Sequence, residues 1–288
     1  MNKVSIRFFD DREVRAIWDE EHAKWWFSVV DIVAALTESP NPRKYWSVLK
    51  IRLKREKHQL TIKCRQLKLT ATDGKRYATD CFSQDDVIEV VKAIPSKKSM
   101  PFLDWFTYSD NTIDGQSKKK AYTLFESSLI DEIEVGTTKG LQQIHAYLFG
   151  GLYNFAGKIR QKNIYKGGFQ FASAQHLDST LKQIEKMPEE TFEHIAEKYI
   201  EMIVAHPFME GNGRTTRIWL DLILKKRLKK CVDWSRIGKN DYMHAMKQSP
   251  SNSNEIKHLL NHALTDEIHS RDMFMKGIDY SYYYEENE

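Results

Sequence analysis

Two apolar stretches, TFEHIAEKYIEMIV at 191–204 and RIWLDLILKK at 217–226, flank one polar, glycine-bearing segment, and this pairing limits what the chain can fold into. In the first, Phe192, Ile195, Ala196, Tyr199, Ile200 and Ile203 recur at i, i+3, i+4, i+7, i+8 and i+11, the wide stripe of a helix packed inside a bundle. Pro188, Glu189 and Glu190 fit its first turn, where proline loses no hydrogen bond and acids meet the positive end of the dipole. The second stretch is apolar nearly all round, so it predicts a helix buried on every side. A helical bundle is therefore expected here, with a tight loop between two of its central helices.

That loop is HPFMEGNGRTTR, residues 206–217. Gly211 and Gly213 let the backbone turn sharply and approach a ligand, and the free N–H groups at the start of the next helix make an anion cradle. Arg214 and Arg217 stand three apart on one helix face, where two guanidinium forks can hold successive phosphates. Glu210 beside such a cradle is repelled unless a cation intervenes, and Mg²⁺ shared with phosphate oxygens resolves the conflict. His206 is the proton handler, being the side chain that titrates near neutrality, and the Asn212 amide can donate to a phosphoryl oxygen. Taken singly, a histidine at a helix end is more often a cap or core residue, and an arginine pair more often a solvated face. Together they specify a nucleotide polyphosphate held beside a base. No G-x-x-x-x-G-K-[ST] loop competes with this reading.

The motif HPFMEGNGRTTR resembles H-P-F-x-[DE]-G-N-G-R-x-x-R of Fic-domain proteins, with every defined position present. EVGTTKGLQQIHAYLFGGLYNFAG, IRQKNIYKGGFQFA and GIDYSYYYEE are similar to compact bacterial Fic proteins, so the resemblance runs from about Leu124 to the C-terminus. It implies an all-helical core that transfers AMP from ATP to a hydroxyl of a target protein and releases pyrophosphate. It also implies roles by position: His206 as general base, Glu210 on Mg²⁺, Asn212 and Arg214 with the amides of Gly211 and Gly213 on the phosphates, and Arg217 on the γ-phosphate. Doc-like kinases carry a bulkier residue at the place of Gly213, so an AMP transferase is implied.

Two further segments take meaning from the resemblance. KNIYKGGFQFA at 162–172 reads as a hairpin tip around Gly167 and Gly168, and the matching flap in the family, here Tyr165, Lys166, Gly167, Gly168 and Phe169, clamps the target segment as an added strand. The tail SYYYEENE fits the inhibitory pattern [ST]-x-x-x-E-[GN] through Ser281 and Glu285, with Glu286 in place of Gly or Asn. An inhibitory helix near 278–286 is expected to set Glu285 against Arg217. Ser128 and Glu132 share the spacing and rank below the tail. Tyr282, beside the proposed inhibitor, is a candidate for self-modification that would release it.

The N-terminal part has a different character. VSIRFF, VRAIW and WWFSVV are short β-branched and aromatic runs separated by polar turns, which predicts a small sheet, and Ser28 with Asp31 is spaced as a capping box for a helix through DIVAAL. LTIKCRQLKL and YATDCF read as a second hairpin whose turn carries Asp73 and Gly74. Residues 43–76 hold twelve Lys or Arg against Glu56 and Asp73, a local surplus of +10 that can track phosphates or an acidic protein surface. IRFFDDREVRAIWDEEHAKWWFSVVDIVAAL is similar to BRO-type domains of phage and bacterial antirepressor-like proteins, which implies DNA binding or recruitment of the modification target.

The whole is expected to be α+β: a small α+β domain at 1–110, a polar linker at 111–120, and an all-α Fic core with a β-hairpin flap at 121–288. With 41% apolar and 29% charged residues the composition is that of a globular protein. No run approaches the roughly 18 apolar residues of a membrane helix, and MNKVSIRFFDD lacks the apolar core of a signal peptide, so residence in the cytoplasm, away from membranes, is expected. Cys64, Cys81 and Cys231 stand too far apart to suggest a disulfide framework or a zinc site. A DNA-binding regulator whose Fic core senses nucleotide stays open beside the enzyme, as does a Fic enzyme that uses another nucleotide or removes AMP. So do the target protein, the trigger and the oligomeric state, a homo-oligomer included.

Overall fold

A computed structural model describes residues 4–71, 74–166 and 169–285. The chain divides into two units, Met1–Thr112 and Ile113–Glu288, and is α+β taken together.

The first unit runs β1 (Val4–Phe9), β2 (Arg12–Asp19), β3 (Lys24–Ser28), α1 (Val29–Leu36), α2 (Pro42–Arg55), α3 (Leu60–Lys63), β4 (Arg65–Thr70), β5 (Arg76–Ser83), α4 (Gln84–Lys92) and α5 (Ser99–Tyr108). Its strands form one antiparallel sheet in the order β1-β2-β3-β5-β4. Asp10 and Asp11 take φ of 50° and 59°, the two-residue turn whose twist suits a tight hairpin. Alternation along the strands sends Val14, Ala16, Phe27 and Phe82 to a core shared with the helices, and Ile17, Trp26, Leu69 and Cys81 to a smaller cluster. Ser28 caps α1 by accepting from the Asp31 amide at 3.4 Å. The Asp31 carboxylate, instead of closing the box, receives the Arg15 fork at 2.7 Å on both oxygens.

LTIK, expected as strand, folds as α3. Leu60 is buried while Ile62 is exposed, and a strand would put both on one face. Of the predicted turn, Asp73 lies outside the described residues and Gly74 has a positive φ of 75°. The helix α2 buries Trp46, Leu49 and Leu53, and its opposite face presents Arg43, Lys44, Ser47, Val48, Ile51, Lys54 and Arg55. Arg43 lies over the Tyr77 ring of β5 at 5.8 Å, so this face continues onto the β4–β5 hairpin. Of the twelve cations in the basic window, Lys50, Lys63 and Arg65 are paired, with Asp80, Asp86 and Asp19 respectively.

The second unit comprises α6 (Ile113–Glu126), α7 (Thr138–Phe149), β6 (Tyr165–Lys166), β7 (Phe169–Gln170), α8 (Leu177–Glu185), α9 (Phe192–Ala205), α10 (Asn212–Leu228), β8 (Cys231–Val232), α11 (Lys239–Gln248), α12 (Asn254–His262), β9 (Leu264–Thr265) and α13 (Arg271–Glu285). Apart from the β6–β7 and β8–β9 ribbons it is helical, with α10 packed against α7, α9 and α13. The expected linker at 111–120 is mostly helix: α6 starts at Ile113 because Ser117, Ala121 and Leu124 make a buried i, i+4, i+7 stripe whose first member is small and polar. The composition of SDNTIDGQSKKK hides that stripe.

The stripe of α9 begins at Phe192 as expected, but the helix lacks the expected first turn at 188–190. Thr191 is its cap, accepting from the His194 amide at 3.2 Å, and Pro188, Glu189 and Glu190 precede the helix. Glu189 is drawn inward instead, where it pairs with the buried Lys198 at 2.6 Å and with Arg227 at 2.7 Å. A buried ammonium has to find such a partner, and that need overrides a favourable dipole position. The three cysteines are free, and no described helix is long and apolar enough to cross a membrane.

Candidate functional site

The end of α9 sets the site. His206 takes φ 50° and ψ 62°, a left-handed conformation unusual for a residue with a side chain, while its amide still bonds the Met202 carbonyl at 3.1 Å. With Pro207 following, the helix cannot continue. The imidazole lies flat on Phe171, centroids 3.8 Å apart and planes at 19°. Phe171 follows the β6–β7 hairpin, which pairs Tyr165 with Gln170 and Lys166 with Phe169. Tyr165 and Phe169 are exposed on the hairpin, whose tip, Gly167 and Gly168, lies outside the described residues.

Three buried polar side chains that periodicity does not reveal hold this loop. Arg160 donates to the carbonyls of His206 at 2.7 Å, Lys162 at 2.6 Å and Ala205 at 3.1 Å, and also to Ala172. It thereby ties the end of α9 to both feet of the hairpin. His145 on α7 stacks on Phe208 at 3.8 Å and donates from Nε2 to the Glu210 carbonyl at 2.9 Å. Its Nδ1 accepts from the Gly157 amide at 2.8 Å, which fixes the neutral tautomer. Asn212 is the third. Its Oδ1 accepts from the Phe208 amide and its Nδ2 donates to the Phe208 carbonyl, both at 2.8 Å. The Asn212 side chain, expected to donate to a phosphoryl oxygen, is buried here and closes the loop on itself.

The second helix opens at Gly211, whose φ of 78° and contact with the Phe149 ring both require glycine. The first-turn amides of α10 have no acceptor four residues back, and they carry the positive end of a 17-residue dipole. Glu210 stands at this end with its side chain half exposed, Oε1 accepting from the Gly211 amide at 3.0 Å and from Arg214 Nη2 at 3.2 Å. Arg214 is buried between the rings of Phe149 and Tyr282, its guanidinium 5.1 Å and 5.4 Å from their centroids, and pairs also with Asp114.

Arg217 is 2% exposed. Its Nε donates to Ser281 Oγ at 2.7 Å, Nη2 to the Ser281 carbonyl at 2.8 Å and to Glu285, and Nη1 to Tyr242 Oη at 3.1 Å. Tyr242 and Tyr284 face the guanidinium at 5.4 Å each. Burial opposes its charge, yet the Tyr242 and Glu285 oxygens more than compensate and hold its pKa above the ordinary value. A Cβ at Gly213 would strike the Glu285 carboxylate and come within 3.0 Å of Arg217 Nη1, so glycine there is what leaves the carboxylate room.

The structure therefore brings His206, Glu210, Gly211, Asn212, Gly213, Arg214, Arg217, Ser281 and Glu285 together. The tail forms the end of α13, which starts at Arg271, earlier than the expected span near 278–286; Glu286 lies outside the described residues. Ser128 and Glu132, the rival pair, sit exposed on a short 3₁₀ segment while Glu285 holds Arg217. Tyr282 does not offer its hydroxyl to solvent: it donates to Ser117 Oγ at 3.0 Å, and burial pushes its pKa up. Tyr282, the candidate for self-modification, is thus buried and bonded to α6 in this structure. The sequence had shown Ser117 only as part of a polar tract.

Residues 136–224 match the Fic/DOC family. The matched span runs from just ahead of α7 into α10 and contains the whole motif. The chain is also 31% identical over 140 residues to protein adenylyltransferase VbhT of Bartonella schoenbuchensis, covering 44% of this chain and 29% of that protein. It is 32% identical over 78 residues to protein adenylyltransferase fic-1 of Caenorhabditis elegans, covering 25% and 15%. With probable protein adenylyltransferase Fic of Salmonella typhimurium it shares 27% over 123 residues, covering 37% and 62%. The chain thus spans less than two thirds of the length of each of these relatives.

Within the matched residues 136–224, burial lowers the pKa of His145 from 6.5 to about 4, against the hydrogen bond to the Glu210 carbonyl. A group held neutral in the folded state contributes stability above its unfolded pKa, and that stability is lost as pH falls towards the folded value. Unfolding free energy is expected to drop between about pH 6.5 and pH 4, and His145→Gln is expected to flatten that slope; urea unfolding at pH 7 and pH 4.5 checks it.

Proposed function

We propose that this chain is a protein adenylyltransferase of the cytoplasm that transfers AMP from ATP to a hydroxyl side chain of a target protein, releases pyrophosphate, and is held in check by its own α13. The observation that carries the reading is Arg217, a buried cation on the motif helix whose anion is supplied by the last turn of α13. A site built for anions and already filled by the protein's own carboxylate is what an inhibited phosphate site requires. Relatives named as protein adenylyltransferases support it.

In this reading the first-turn amides of α10 and the guanidiniums of Arg214 and Arg217 take the phosphate chain. Asn212 acts indirectly, by fixing the loop that presents those amides. His206, held on Phe171 and by Arg160, removes the proton as the target oxygen bonds to the α-phosphorus and the bond to pyrophosphate breaks. Glu210 suits Mg²⁺: it is half exposed, among the described residues only its Oε1 is engaged, and one carboxylate plus phosphate oxygens is a common magnesium environment. When bound, the ion neutralises charge on the phosphates. The β6–β7 hairpin, with Tyr165 and Phe169 exposed, would receive the target segment as a strand alongside.

A second reading concerns Met1–Thr112. The outward face of α2 sets Ser47, Val48 and Ile51 amid Arg43, Lys44, Lys54 and Arg55, which suits a duplex groove with its flanking phosphates and favours DNA binding, as the BRO-type resemblance implies. Duplex affinity that falls steeply with salt, and is unchanged by His206→Ala, is expected.

For the enzyme, Glu285→Gly with Mg²⁺ and α-labelled ATP is expected to give at least about tenfold more protein-bound label than the unaltered chain, as loss of about 1.4 kcal/mol of inhibitory contact would. His206→Ala in the same background is expected to abolish it. Equal labelling with and without Glu285 would contradict the inhibitory role of α13.

A further inference from the structure

Arg217 is not the sole motif arginine with a carboxylate on it. Arg214 Nη1 is paired with Asp114, the second residue of α6. The arginine side chain is 4% exposed and the aspartate 59%, so Asp114 reaches from the surface into a buried position. Glu210 supplies a longer contact at 3.2 Å, and the buried Nε–H of Arg214 meets no acceptor among the described residues. The protein's own groups leave this guanidinium incompletely satisfied, although it carries full charge in a nearly dry place.

Asp114 and Glu285 come from opposite ends of the unit, on helices that brace one another. Lys118 pairs with Asp279 at 2.7 Å, Tyr122 also bonds Asp279, Tyr282 donates to Ser117 at 3.0 Å, and Phe125 stacks on Phe274 at 4.8 Å. The Tyr282 ring links the two sets, since it both lies against Arg214 and anchors to α6. Asp114 and Glu285 thus sit on one braced pair of helices, which supplies an anion to each arginine in addition to the Glu210 contact to Arg214.

We propose that Asp114 is a second internal anion at the phosphate site: it holds Arg214 where a nucleotide phosphate would claim it, so nucleotide affinity is set by the first turn of α6 as well as by the last turn of α13. This rests on the reading of Arg214 and Arg217 as phosphate-binding. A nucleotide phosphate brings the same charge and more acceptors than Asp114 does, and it can displace the aspartate without leaving the guanidinium bare. Asp114 is gate and competitor and takes no part in the chemistry.

The test is calorimetric titration of full-length protein with Mg-ATP, ADP and adenosine, for the unaltered chain, Asp114→Asn, Glu285→Gly and the double variant. Asp114→Asn is expected to tighten ATP and ADP roughly two- to fivefold, the range of a partly exposed ion pair, in both the unaltered and Glu285→Gly backgrounds. Adenosine, which has no phosphate, is expected to bind with unchanged affinity. Unaltered ATP and ADP affinity in Asp114→Asn, or equal tightening of adenosine, would overturn the proposal, the latter marking mere loosening of α6. Absence of ATP binding even to Glu285→Gly would instead overturn the adenylyltransferase reading on which it rests.

Discussion

The charge of Arg217, carried into the interior on the second turn of α10, constrains more of this molecule than any other single group. An isolated guanidinium could not remain there, and four of its N–H directions are met by Ser281, Tyr242 and Glu285 while two tyrosine rings cover its faces. Those partners fix other parts in turn. Ser281 and Glu285 tie α13 to α10 through Arg217, Gly213 must lack a Cβ for the carboxylate to enter, and Tyr242 hydrogen-bonds with the fully buried Tyr199 of α9 at 2.6 Å. Removing one anion from such a site is costly, whereas exchanging it for another is not. The same residues can therefore act as structural ballast in one state and as a phosphate receiver in another.

A comparable economy governs the loop between α9 and α10. The left-handed His206, the positive φ of Gly211 and the free first-turn amides of α10 make a strained stretch of backbone whose carbonyls and amides need partners. Arg160, His145 and Asn212 supply them almost entirely to backbone atoms. Their side chains are polar and buried, and none requires a charged partner to stay where it is. His145 serves as a neutral donor and acceptor because its pocket keeps it neutral, and Asn212 bonds both polar groups of Phe208 at once. The loop geometry is thus set before any ligand arrives.

Much of this was legible in the sequence. The apolar stripes of α9 and α10 give the two central helices, because packing a hydrophobic face is a periodic demand, and the motif between them names the residues that converge. The inhibitory pattern that the resemblance supplies points to Ser281 and Glu285, which bond Arg217. Other features were illegible for physical reasons. The helix α6 hides in SDNTIDGQSKKK because its buried stripe opens with Ser117, whose burial makes sense only once Tyr282 is seen to bond it. Glu189 looked like a first-turn acid until the buried Lys198 drew it inward. Arg160, His145 and Asp114 answer to tertiary contacts with carbonyls or with Arg214, and no local spacing announces such contacts. LTIK resembles strand by composition, yet one buried and one exposed side chain two apart require a helix.

The central claim is that the Glu285 carboxylate and a nucleotide phosphate compete for the same guanidinium. Crystal structures of the unaltered chain and of Glu285→Gly, each with Mg²⁺ and a non-hydrolysable ATP analogue, test it most directly. The expected result is a terminal phosphate on Arg217 in Glu285→Gly, and Arg217 still paired with Glu285 and free of phosphate in the unaltered chain. A terminal phosphate on Arg217 with Glu285 still in its present place would contradict the account.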